Sequence, residues 1–184
     1  MATIAVFNQK GGVGKTTTCL NLTAALSLAQ RSPIALDMDP QGHLSLASGL
    51  RHGTTQRDSI VSFFRDGTPL SKLLYETPAG WQLIPATLEL SKIDAMYGND
   101  PQAAKKLKQG LAEELALTGA PILIDCCPML GVLTLNALLA ADKVLIPVSP
   151  DFLSQHGVHR LDSALNVLEK KLQRTFERRI VVTR

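Results

Sequence analysis

The chain is poor in aromatic residues, which make up 4% of its 184 residues, so the core it builds must be mainly aliphatic. Cysteine is scarce as well. Cys19, Cys126 and Cys127 form an odd set with two adjacent members, and no C-x-x-C pair occurs. That usage excludes a secreted disulfide framework and gives no metal-site spacing. Adjacent cysteines rarely share one ion, and no ligand cluster accompanies these, so the pair reads as packing. No uninterrupted apolar run reaches the ~18 residues of a membrane span. The opening MATIAVFNQKGG has neither a charged leader nor a long apolar stretch, so it does not read as a signal peptide. A cytoplasmic location is the default expectation. Repeats, low-complexity segments and a dividing linker are all missing. The formal net charge is only +3, too small to name a nucleic-acid partner by itself.

What is present suits one globular domain: 45% hydrophobic and 19% charged residues over 184 positions. Short apolar runs alternate with helical patterns. Runs 2–7, 33–37, 81–87, 121–125, 143–148 and 179–183 read as strands. Residues 15–30 read as a helix with Cys19, Leu22, Leu26 and Ala29 on one face. Further helical patterns lie near 102–117, 131–140 and 155–173, with a short helix near 58–65. The glycine-punctuated stretch 43–80 is the least decided. Alternation of this kind predicts an α/β domain with a doubly wound, mostly parallel sheet. Ligands of such sheets bind beyond the carboxyl ends of the strands.

The first strand runs into KGGVGKTTT, residues Lys10 to Thr18. Gly11, Gly12 and Gly14 can adopt backbone angles closed to other residues and let amides approach an anion. The loop then enters a helix N-terminus, where unpaired N–H groups favour negative charge. In such a loop Lys15 reaches β- and γ-phosphates, the Thr16 hydroxyl ligates Mg²⁺, and Thr17 reaches the α-phosphate. The common pattern G-x-x-x-x-G-K-[ST] is not met in full, because Gln9 stands at its first glycine. A second lysine, Lys10, stands at the front instead. Two lysines in a narrow loop repel unless an anion lies between them.

This variant, K-G-G-V-G-K-T-T, resembles the deviant Walker A ATPases of the ParA/MinD family, and is closest to the ParA branch. The resemblance implies a P-loop NTPase fold and a bound ATP with Mg²⁺. Lys10, Gly11, Gly12, Val13, Gly14, Lys15, Thr16 and Thr17 would form the nucleotide cradle. Lys10 would cross a homodimer interface that forms on ATP binding and touch the nucleotide held by the partner subunit. LDMDPQG (36–42) is similar to the family's second motif. It implies that Asp39 orients the attacking water, with Asp37 near the magnesium shell. ILIDCCPMLGVLTLNALLAADKVLIPV (122–148) is similar to the third motif, with Asp125 as the Walker B carboxylate. Catalytic work would then fall to Lys10, Lys15 and Asp39, and metal binding to Thr16, Asp37 and Asp125.

Two departures stand out. Cys127 replaces the first proline of the family's frequent D-C-P-P, which loosens a switch that senses the γ-phosphate. His43 stands where asparagine is common, and no chemistry is assigned to it. PVSPDFLSQHGVHRL (147–161) also resembles the ParA pattern. There Asp151 is a cap or interface residue, and His156 and His159 belong to the surface or the interface. The resemblance treats 1–184 as a single P-loop ATPase domain without the family's usual C-terminal portion. Adenine contacts and much of the DNA-binding surface belong to that portion.

The implied function is a ParA-like ATPase that binds DNA nonspecifically and positions or segregates a plasmid, chromosome or protein assembly. Its slow hydrolysis would be stimulated by a ParB-like partner protein, and it would associate with the nucleoid when ATP-bound. No membrane partner is expected. Lys170, Lys171, Arg174, Arg178, Arg179 and Arg184, against Glu177, form a basic cluster that suits either phosphate contacts or a solvated helix face. Two alternatives are a MinD-like membrane-surface switch, whose amphipathic C-terminal helix this chain does not display, and a nucleotide-binding paralogue that never hydrolyses. An iron–sulfur carrier on the same scaffold would need a C-x-x-C that is missing.

Overall fold

The computed structural model describes residues 2–50, 58–98, 100, 102–150, 162–163, 165–167, 169–170 and 173–183. Its strands are β1 (Thr3–Val6), β2 (Ile34–Met38), β3 (Tyr75–Glu76), β4 (Gln82–Ile84), β5 (Ile122–Cys126), β6 (Lys143–Val148) and β7 (Glu177–Val182). They form one sheet in the order β3-β4-β2-β5-β1-β6-β7. Every pairing is parallel except β3 with β4. The doubly wound, mostly parallel architecture expected from the alternating pattern is therefore the fold. Each of the six expected runs overlaps a strand, with ends that differ by one to three residues except at β6; the two-residue β3 was not anticipated.

Side chains of a strand alternate between faces, and the central strands show it. Ala5, Ile34, Leu36, Met38, Ile122, Ile124 and Cys126 enter the larger aliphatic cluster on one face. Val6, Ala35, Leu83 and Leu123 enter the smaller one on the other face, with Cys19 and Leu44. By the same alternation Asp37 and Asp125 project on the second face. They are also register partners, Asp37 directly opposite Asp125 on neighbouring strands.

Helix α1 (Lys15–Leu28) lies on that second face. Gly14 starts it at φ 84, a left-handed conformation that glycine adopts without strain. It stops two residues earlier than expected. Gln30 turns left-handed at φ 56, and the Arg31 N–H reaches back to Leu26 O at 3.0 Å. Cys19 is buried and Leu22 and Leu26 are half-buried, but Ala29, expected on the inner face, is exposed.

The other face carries α3 (Ile60–Asp66), α4 (Ser91–Tyr97), α5 (Lys106–Gly110) and α6 (Val132–Ala140); a short α2 (His43–Ala47) follows β2. α3 and α6 match the patterns near 58–65 and 131–140, whereas α4 was not read from the sequence. The pattern at 102–117 is helical but irregular. A 3₁₀ turn precedes α5, then a π turn spans Leu111–Leu115. Gly110 sits at that break because a Cβ there would lie 2.8 Å from two Phe63 ring carbons. The described positions between 162 and 170 are helical, and Gln173 is already a left-handed turn at φ 49; the remainder of the expected 155–173 helix lies outside the described residues.

Candidate functional site

The carboxyl ends of β1, β2, β5 and β7 open onto a cleft of about 600 Å³. Its lining includes the loop Gly11 to Thr18, with Asp39, His43, Pro128 and Thr183. The structure thus brings together the phosphate-loop residues and Asp39 that the sequence singled out. Lys10 adjoins them, half-buried, and serves the loop through its backbone. Its carbonyl accepts the Lys15 Nζ at 3.0 Å, and its N–H donates to Asn8 Oδ1 at 3.0 Å. Asn8 is fully buried and donates in turn to Pro147 O at 2.8 Å, tying the loop's start to the end of β6. Sequence reasoning passed over Asn8.

Two ionisable groups stand deep at the base of this loop. Lys15 is 8% exposed and Asp125 is 1% exposed. Burial lowers the Lys15 pKa, while Asp125 and Asp39 pull it back up. Burial, and next the like charge of Asp37, push Asp125 up to about 8, against the stabilising influence of Thr16 and Lys15. Neither Asp125 oxygen has a hydrogen-bond partner of ordinary geometry, although Thr16 is near enough to favour the charged form. A buried carboxylate without partners is costly unless a cation or donor joins it.

Asp37 is placed differently from expectation. It is fully buried and does not line the cleft. One oxygen accepts from the Ser45 N–H at 2.9 Å and the Ser45 hydroxyl at 2.7 Å; the other accepts from the Asp39 N–H at 3.1 Å. Burial outweighs these bonds and moves its pKa up to about 6. Asp37 shapes the turn that sets Asp39 at the cleft rim. The Asp39 carboxylate accepts the Gln41 N–H at 2.9 Å.

The stretch after Asp125 is held by side chains. The Cys127 thiol lies 3.4 Å from Thr134 Oγ1 and 3.7 Å from Met129 O. Leu133 N–H donates to Asp94 Oδ1 at 3.2 Å, so α4 caps the start of α6. Cys126 and Cys127 are both buried. Among the described residues no group of three or more His, Cys, Asp or Glu is placed to hold a metal ion. A lone carboxylate with a nearby hydroxyl instead suits Mg²⁺, which keeps waters and takes phosphate oxygens. No described helix is long and apolar enough to cross a membrane.

Two members of the basic C-terminal cluster, Arg174 and Arg178, are committed to the fold. Arg174 donates to the carbonyls of Leu139 and Ala141 at the end of α6, where a planar cation suits the exposed carbonyls. Arg178 pairs with Asp162 and Glu169, and Arg179 with Glu177. Lys171 and Arg184, like Asp151, His156 and His159, lie outside the described residues.

Residues 1–178 match a family described as an AAA domain. The chain is 37% identical over 170 residues to the chromosome partitioning protein ParA of Myxococcus xanthus, covering 92% of this chain and 59% of that protein. It is 33% identical over 169 residues to the sporulation initiation inhibitor protein Soj of Bacillus subtilis, covering 92% and 66%. It therefore spans about three fifths of the length of these relatives. Among solved structures, a cobyrinic acid a,c-diamide synthase from Mycobacterium smegmatis with bound ATP analog and magnesium superposes at TM-score 0.88 with 31% identity, over 99% of this chain and 74% of that one. A plasmid partition protein from Borrelia burgdorferi superposes at 0.85 with 26% identity, over 100% and 79%. Matched over nearly its whole length, the chain belongs to the ParA/MinD family of P-loop ATPases.

Proposed function

We propose that this chain is the nucleotide-binding part of a ParA-like ATPase that takes Mg·ATP in the cleft and dimerises on it. The observation that carries this reading is the unpartnered, buried Asp125 carboxylate beneath a glycine loop and the inward Lys15. Both the carboxylate and the lysine gain a partner when a divalent cation and a polyphosphate enter together. Magnesium would supply charge neutralisation for the phosphates, held by the Thr16 hydroxyl and, through water, by Asp125. The backbone N–H groups from Gly11 to Thr17 bind phosphate oxygens, and Lys15 neutralises them. Asp39, at the rim, orients the attacking water. Asp37 acts one step behind, by holding the turn that presents Asp39. Relatives named as partition proteins and a synthase solved with an ATP analog and magnesium both support nucleotide chemistry at this loop.

Lys10 is assigned to the facing subunit's nucleotide. Two triphosphate-bearing faces repel, and a lysine lent from each side converts that repulsion into attraction. Sizing the protein with ATP, ADP and no nucleotide tests this. A dimer is expected with ATP alone; Lys10→Ala keeps ATP binding and stays monomeric. An ATP-dependent dimer in that variant removes the cross-subunit role. Hydrolysis is slow unaided and is raised by a ParB-like partner protein.

Nonspecific DNA binding belongs to the same reading. Of the basic cluster it draws on exposed Lys170 and Arg179 more than on Arg174 or Arg178, which the fold already uses. Such binding is salt-sensitive. The DNA assignment fails if affinity for unrelated duplexes is the same with ATP as without it.

A further inference from the structure

β7 ends at the phosphate loop. The Thr183 N–H donates to Val148 O at 2.9 Å, which fixes the residue at the end of the parallel β6–β7 ladder. From there its hydroxyl donates to Val13 O at 2.8 Å, across 170 residues of sequence. Its side chain packs where a Cβ on Gly14 would stand, 3.6 Å away, and it lines the cleft.

The Val13–Gly14 peptide joins a buried valine to a left-handed glycine. Gly14 stands at φ 84, and Gly12, before the valine, at φ 72, both left-handed. On the Gly14 side the plane can therefore turn at little steric cost. Nothing lies within 4 Å of a Cβ placed on Gly11 or Gly12. A trans peptide is planar, with its C=O and N–H pointing opposite ways. Whatever holds the Val13 carbonyl therefore also aims the Gly14 N–H.

We propose that Thr183 is a positioning residue of the phosphate cradle: by holding the Val13 carbonyl against β7 it turns the Gly14 N–H toward the bound polyphosphate. This rests on the reading of the cleft as a Mg·ATP site. It makes the far end of the chain part of that site without contact to the reacting atoms. Thr183 is named by neither phosphate-loop pattern.

The test compares Thr183→Val, which keeps the shape and loses the donor, with Thr183→Ser, which keeps the donor. Calorimetric titration with Mg·ATP and with magnesium tripolyphosphate gives the dissociation constants, and thermal melting without ligand gives the fold's response. One lost hydrogen bond predicts that Thr183→Val weakens both ligands about three- to tenfold. Thr183→Ser is expected to bind and melt like the wild type, and Thr183→Val to melt about 2–4 °C lower. Unchanged binding by Thr183→Val overturns the role. So does a loss confined to ATP with tripolyphosphate spared, which places Thr183 at the nucleoside. A lowered melting point that serine does not rescue makes the residue merely structural. Wild-type protein that binds neither ligand removes the Mg·ATP reading itself, whereas normal wild-type binding beside an indifferent Thr183→Val removes this role alone.

Discussion

Replacing Asp125 with asparagine should stabilise the ligand-free protein at neutral pH, and by an amount that depends on pH in a predictable sense. The Asp125 carboxyl moves from an ordinary 3.8 to about 8 on folding, through burial first and the neighbouring Asp37 second. Asp37 has the lower value, about 6, so it ionises first and the like-charge penalty falls on Asp125. The folded state then holds its proton more tightly than the unfolded chain does. Stability therefore falls as pH climbs through the interval between those two Asp125 values, and levels off above it. At about pH 7 the carboxyl is roughly three units above its unfolded pKa, a cost of at most about 4 kcal/mol at 1.36 per unit. Relaxation around a buried charge reduces this to about 2–4 kcal/mol. Asparagine carries no such cost, though it leaves polar atoms buried, a penalty of about 1–3 kcal/mol that does not vary with pH. The decisive quantity is thus the change in the wild-type-to-variant difference with pH. Urea unfolding in a chelator at about pH 5 and about pH 8 should show Asp125→Asn gaining about 2–4 kcal/mol on the wild type between the two. Parallel stability curves for the two proteins would refute the claim that Asp125 is a strained, partnerless acid.

Two further substitutions probe separate links. Asp39→Ala should leave Mg·ATP binding within about twofold and cut phosphate release at least tenfold, so that an ATP-bound dimer persists on a sizing column; turnover at the wild-type rate would take Asp39 out of the reaction. Gly110→Ala should destabilise the fold by about 1–3 kcal/mol, because its methyl would meet the Phe63 ring at 2.8 Å between α3 and the break after α5; an unchanged denaturation midpoint would mean that the ring swings aside freely.

Much of this site was legible because its signals are local. The glycines and lysines of residues 10–18 stand in one loop, and Asp125 ends an apolar run, so strand period and motif spacing place both. The remainder depends on contacts between distant segments. In DMD, residues 37–39, both acids look equally available. The strand continues through Met38, so Asp37 projects into the α1 face while Asp39 clears the strand end. The donors that occupy Asp37 include Ser45, which only the turn into α2 brings back. The basic cluster is legible only in part for a related reason. Composition displays the charges of Arg174 and Arg178 but not the helix-end carbonyls and carboxylates that take them. Thr183 is the longest-range case, although a strand in parallel register with β6 must end at the same rim, which was a usable signal.

The buried charges of the described sheet coincide with its tightest loop. Register-matched carboxylates, a buried lysine and paired left-handed glycines all gather at the carboxyl ends of β1, β2 and β5. The surrounding sheet carries aliphatic side chains on both faces. Buried charges gathered in one cleft argue for a ligand that relieves them, since a polyanion alone would aggravate the carboxylates and a cation alone would aggravate Lys15. Only the two together satisfy the whole set. Any cation–polyphosphate pair that binds the folded state alone also stabilises it, by RT ln(1 + [L]/Kd). The wild type therefore has more to gain from Mg·ATP than Asp125→Asn does. The stability order of the two proteins at neutral pH should close or reverse when the nucleotide is added, which couples the cost of the empty site to its occupancy.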